Sequence, residues 1–226
     1  MPYYISFTFA LLGGILPALL WLWFWLREDK NPEPKRLIIW SFVAGMSAVI
    51  FVFPIEIAIK SVVSSTIVIT ILWAICEEVF KFGAAYFSGL SKKDNDEPID
   101  PLIYLITAAL GFSAIENTLF ILNPLMDGNA IQGFLTGDLR FLGASLLHVI
   151  SSASIGIFMG FSFFKNKYRK GLSIIAGLFV AIALHSAFNW NIMNSDGSNL
   201  LSIFSIVWFA VAILMVFFEK IKRIKK

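Results

Sequence analysis

The chain is short of three things: cysteine (one), histidine (two) and charge, with Lys, Arg, Asp and Glu together making up 15% of its 226 residues. Each scarcity excludes something. Cys76 alone can form no internal disulfide. So little charge beside 58% hydrophobic residues and a mean hydropathy of +0.80 excludes a soluble domain, which could not cover that much apolar surface. The apolar runs, each of about 20 residues, lack two-residue alternation; this excludes a transmembrane barrel and leaves helices that satisfy their own backbones in lipid. There is no internal repeat, low-complexity stretch or linker, so residues 1–226 read as a single polytopic membrane domain. No basic stretch precedes the first apolar segment, and that segment is too long for a signal-peptide core, so it reads as a retained span.

What is present predicts an all-α integral membrane protein, a bundle of about seven transmembrane helices. The segments are Ile5–Leu26, Leu37–Ile59, Val62–Leu90, Pro101–Leu122, Phe141–Phe164, Gly171–Ile192 and Leu200–Phe218. The third is long, which predicts a tilt or a late start after Ser64-Ser65-Thr66. Asp100-Pro101 predicts a helix start, with Asp100 as N-cap, and Asn123-Pro124 predicts a helix end. The segment Asn123–Arg140 reads as the longest loop. Basic residues alternate: Arg27–Arg36 carries four, Ser91–Asp100 two, Lys165–Lys170 four and the tail from Glu219 five, against one at Lys60 and one at Arg140. The positive-inside rule then predicts the N-terminus outside and the C-terminus in the cytoplasm. The basic residues are loop anchors, so the net charge of +3 argues for no nucleic-acid partner. The tail Lys220, Lys222, Arg223, Lys225, Lys226 is expected to rest on anionic lipid head groups.

The informative residues are the ionisable ones inside the apolar segments. Each costs about 2.5–3.5 kcal/mol near a bilayer centre and by default marks a functional site. Glu77, Glu78 and Lys81 share the third segment; Lys81 is i+4 and i+3 from the two acids and can neutralise one of them. A structural ion pair would explain one glutamate but not both. The remaining carboxyl, pressed against a like charge, is the kind of group that serves as a base near neutral pH. Glu116 has no basic neighbour in its segment, so it is either protonated or faces a charge on another helix. His148 and His185 lie in the fifth and sixth segments about two turns from their outer ends, as does Glu116 in the fourth; Asn189 follows His185 by four residues. Glu56, near the end of the second segment, reads as snorkelling to the interface, and Cys76 as a packing residue. Three glutamates and one lysine carry an excess negative charge. A divalent metal, two protonated histidines or two protonated glutamates would each offset it. Two imidazoles and a carboxylate suit catalytic zinc, with Glu116, His148 and His185 as the candidate ligands.

Glu77-Glu78-x-x-Lys81, Phe112-x-x-x-Glu116-Asn117, His148 with Gly156 eight residues on, and His185-x-x-x-Asn189, in that order within residues 62–192, resemble the PrsW family of intramembrane proteases. More distantly they are similar to the CAAX prenyl protease and bacteriocin-processing superfamily. Glu116 stands where CAAX proteases carry histidine, and Asn189 where some PrsW members carry aspartate. The resemblance implies a glutamate- or metal-dependent endopeptidase in the bacterial cytoplasmic (plasma) membrane. It also implies the first (site-1) cut of a single-span anti-sigma factor in a stress response.

The residues then take roles as follows. Glu77 or Glu78 is general base and proton donor, Lys81 holds the other glutamate ionised, and His185 and Asn189 polarise the carbonyl, or His185 binds metal. His148 and Glu116 orient water or complete the metal site. Such a site predicts a hydrated cavity among the third to sixth helices, open to the outer leaflet side. The rival reading is a proton- or ion-coupled transporter or channel built on the same buried Glu, Lys and His groups.

Overall fold

The computed structural model describes residues 2–195 and 199–225, all of them in helices and short connections. The order is α1 (Tyr3–Leu26), α2 (Lys35–Val62), α3 (Thr66–Ala85, prolonged by a π-helical turn Tyr86–Leu90) and α4 (Asp100–Met126). Then come α5 (Ala130–Leu139), a π-helical turn (Arg140–Ala144), α6 (Ser145–Phe161), α7 (Lys167–Met193) and α8 (Leu200–Ile221). Six rods are long and apolar enough to cross a membrane: α1, α2, α4, the continuous rod from α5 to α6, α7 and α8. The third helix carries Glu77, Glu78 and Lys81 within twenty residues and falls outside that set.

α4 is the central post. It is apolar all round and buried along most of its length, as a helix enclosed by others must be. α1, α2 and α6 pack on it most extensively, and α3 and α5 also touch it. Its crossing with α2 needs small residues. A Cβ on Gly45 would come within 2.0 Å of the Ala108 carbonyl oxygen, and one on Gly111 within 2.0 Å of that of Phe42, so the backbones meet directly.

Three local expectations change. The segment Asn123–Arg140 is not a loop: Asn129 caps α5 by accepting the Gln132 N–H at 3.0 Å, and the turn before it is made by Gly128 at φ 79°. Of the glycines that suggest a loop, Gly128 does make the turn, but Gly133 and Gly137 lie inside α5, Gly133 directly against Leu125. Pro124 does not end α4, which runs to Met126; a proline in the last turn removes only one helical hydrogen bond. Asp100 is not an N-cap. It is the first residue of α4, and its Oδ2 accepts the N–H groups of Asp96 (2.8 Å) and Glu97 (2.6 Å) in the preceding turn. The late start of the third helix, after Ser65, is as expected.

Candidate active site

Helix periodicity places Glu77, Glu78 and Lys81 on the inward side of α3, where all three are buried. The Lys81 ammonium donates to Glu78 Oε1 at 2.7 Å and to His148 Nδ1 at 2.9 Å, lies 3.2 Å from Glu77 Oε2, and sits over the Phe112 ring at 4.6 Å. A lysine ammonium only donates, so His148 Nδ1 accepts and its Nε2–H points to Glu116 Oε2, 2.8 Å away. His185 Nδ1–H donates to Glu78 Oε1 at 2.8 Å, leaving its Nε2 lone pair toward Glu77 Oε2 at 3.7 Å. The two imidazoles meet edge to face at 5.1 Å between centroids. The residues drawn from four apolar segments thus form one cluster, apart from Asn189. That residue is half-buried one turn past His185 and makes no side-chain hydrogen bond to the described residues.

The two adjacent glutamates differ. Glu78 is fully engaged: Oε1 takes Lys81 and His185, and Oε2 takes the Ser152 hydroxyl at 2.8 Å. Glu77 Oε2 is buried and accepts no hydrogen bond, with Lys81 Nζ, His185 Nε2 and His148 Nδ1 (3.8 Å) around it. A buried carboxylate oxygen ringed by an ammonium and two imidazoles is the reactive point of the cluster.

Two participants escape the sequence. Arg140, on the π turn leading into α6, forms a short charged contact with Glu116, donates to Asn117 Oδ1 at 2.5 Å and covers the Phe120 ring at 4.0 Å. It is the charge from another helix that Glu116 required. As the single basic residue of a segment read as loop, it carried no signal beyond its isolation. Glu56 is the second. It does not snorkel away: its carboxyl lies within hydrogen-bonding reach of Glu77. α2 ends at Val62 rather than Ile59, which sets Glu56 nearly two turns inside the helix. With four glutamates against Lys81 and Arg140, the cluster keeps an excess of negative charge.

That excess and the bare Glu77 oxygen bear on metal binding. Ligand atoms of Glu77, His148 and His185 lie within 4.8 Å of one another. Each imidazole sends its other ring nitrogen to a carboxylate, Glu116 for His148 and Glu78 for His185, the outer support usual for metal-bound histidine. Two imidazoles and a carboxylate are a zinc donor set, so the residues fit the ion. The geometry puts Glu77 in the position that the sequence had assigned to Glu116; Glu116 instead holds Arg140 and supports His148 from outside. In this conformation Lys81 occupies the His148 Nδ1 lone pair. The expected hydrated cavity is absent around the central groups: Glu77, Glu78, Lys81, His148 and His185 are at most 3% exposed. Glu56, Glu116 and Arg140 form the half-open rim.

A helical membrane bundle with acids, imidazoles and a lysine converging on one buried carboxylate carries the groups of an intramembrane hydrolase, and the comparisons favour that class over an ion carrier. The family model described as PrsW family intramembrane metalloprotease matches residues 33–218. Among curated proteins, Protease PrsW of Geobacillus kaustophilus is 27% identical over 194 residues, covering 81% of this chain and 80% of the relative. Protease PrsW of Oceanobacillus iheyensis is 32% identical over 185 residues, covering 79% and 80%, and that of Bacillus subtilis is 26% identical over 186 residues, covering 79% and 78%. No solved structure matches the chain. The chain belongs to the PrsW family, and is a multi-pass membrane protein of protease type. A transporter is not favoured.

Proposed function

We propose that this protein hydrolyses a peptide bond of a single-span membrane protein, with Glu77 as general base. The observation that carries this is the buried Glu77 Oε2, which accepts no hydrogen bond while both oxygens of Glu78 are taken. Glu77 removes a proton from water as it attacks the carbonyl carbon and returns it to the leaving amine. Glu78, held by Lys81, His185 and Ser152, is the fixed counter-charge of Lys81 and orients the His185 ring. Asn189, free to turn, supplies an N–H to the carbonyl oxygen. Glu116 and Arg140 orient His148. Glu77, His148 and His185 are also the residues that would hold a zinc ion, with Lys81 released from His148 Nδ1; Glu77 would then be a ligand and the role of base would pass to a neighbouring carboxylate. Bound there, the ion would supply Lewis-acid stabilisation and a more acidic water.

The reading extends to seven spans, α3 being the seventh, with the N-terminus outside the bacterial plasma membrane and the C-terminal tail on anionic head groups. The expected substrate is a single-span anti-sigma factor cut first at its outer side. Glu116 lies ten residues from the end of α4 and His185 eight from that of α7, a depth that supports attack from that side. Co-expression with single-span anti-sigma factors tests it. Wild type should yield a shortened fragment; Glu77→Ala and His185→Ala should leave full-length substrate, and His185→Ala should also lose metal on purification. Equal fragments from all three end the reading.

A further inference from the structure

An apolar concavity lies away from the acids. A groove of about 330 Å³ runs between α6, α7 and α8, with Ile150 and Leu214 on its floor and Ile157, Leu184 and Ile213 on its walls. Ser154, its polar lining residue, gives its hydroxyl to the Ile150 carbonyl at 2.9 Å, so nothing in the groove calls for water. Along α6 it extends from Ile150 to Phe161, about 16 Å at 1.5 Å per residue. That is one leaflet of hydrocarbon, about 15 Å. One end lies level with the imidazoles, since Leu184 precedes His185. The other is closed by the Phe161–Phe217 edge-to-face pair.

This closed end is basic. Lys220 Nζ stands 5.7 Å over the Phe217 ring, Arg223 follows two residues past the end of α8, and Lys165, Lys167 and Lys170 lie around the start of α7, at the same end of the bundle. Among the described residues Lys220 has no carboxylate in ion-pair range; Glu219 beside it is taken by Lys222 at 2.6 Å. An apolar slot one leaflet deep, with free cations at its head-group end, is complementary to an anionic lipid.

We infer that this groove binds one acyl chain of an anionic phospholipid, whose phosphate rests on Lys220 and Arg223, and that the lipid braces α7 against α6 and α8. The inference needs the membrane fold but not the protease reading. Its test is native mass spectrometry and thermal melting of the full chain, delipidated and then supplied with phosphatidylglycerol or phosphatidylcholine. One phosphatidylglycerol should be retained per chain in preference to phosphatidylcholine, with a higher melting temperature. Lys220→Ala with Arg223→Ala should weaken phosphatidylglycerol about 30-fold, the equivalent of about 1 kcal/mol per basic residue. Ile213→Trp, placed on the exposed rim so that folding survives, should reduce retention of both lipids. Equal retention of the two lipids by wild type overturns the inference. So does unchanged retention in Ile213→Trp. Loss of substrate cleavage in Ile213→Trp with lipid retention intact would assign the groove to the substrate instead.

Discussion

Two regions of α4 bury carboxylates, and they do so in opposite ways. Midway along the helix, Glu116 joins Glu77 and Glu78 among Lys81, Arg140 and two imidazoles. At its start, Asp100 lies beside Glu33 of the α1–α2 connection, and this cluster is held by a tyrosine hydroxyl and backbone N–H groups: Tyr104 donates to Glu33, and Asp96 and Glu97 donate to Asp100. Burial pushes the Glu33 and Asp29 carboxyls above the ordinary range. The first arrangement surrounds its acids with cations and imidazoles and leaves one oxygen bare between an ammonium and two ring nitrogens, which suits chemistry. Among the described residues the second has no cation in direct contact with Glu33 or Asp100, and it ties two connections to the bundle. Buried acid alone does not make a site; cations and an uncommitted acceptor do.

The sharpest way to break the contrast is to neutralise each acid in turn. Glu77→Gln removes the base and should lower the cleavage rate at least 100-fold, within the usual range for a lost general base, with little change in melting temperature. Glu78→Gln should lower both, because it leaves Lys81 buried beside a neutral amide; breaking a buried pair costs about 3–5 kcal/mol. A melting curve beside a cleavage assay separates the two glutamates, and identical behaviour would erase the distinction. Arg140→Ala should reduce activity about 10–100-fold through a loosened Glu116 and His148, and Arg140→Lys should restore part of it. The loss should fall on kcat rather than KM, since Arg140 lies outside the reacting atoms.

Glu33→Gln gives the smallest effect and touches only the second region. A carboxyl raised in the folded state binds more protons folded than unfolded. Its contribution to stability is therefore complete below the unfolded value near 4.5 and is lost as pH rises through the folded value. The substitution should leave cleavage unchanged and flatten the fall in melting temperature above pH 4.5.

Much of this was legible without coordinates, because lipid makes polarity conspicuous. Glu77, Glu78, Lys81, Glu116, His148 and His185 stand out for being ionisable inside apolar runs, and the cost of placing them there argues for a shared location. Helix boundaries were less legible. α5 hides behind glycines whose role is contact, and three extra residues at the end of α2 turn Glu56 from an interface residue into a neighbour of Glu77. Arg140 was illegible for a different reason: its partner comes from a helix contact, and nothing in its own segment encodes that. The division of labour between Glu77 and Glu78 also required coordinates, since adjacent residues on one helix differ only in what other helices bring to them.

The account turns on Glu77 Oε2 standing between His148 and His185. X-ray absorption at the zinc edge of purified, zinc-loaded protein examines that point directly. The prediction is one ion per chain with two imidazole nitrogens and carboxylate oxygen in its first shell, weakened in Glu77→Gln and abolished in His185→Ala. An absorption spectrum without imidazole scattering, or one unchanged by both substitutions, would contradict it.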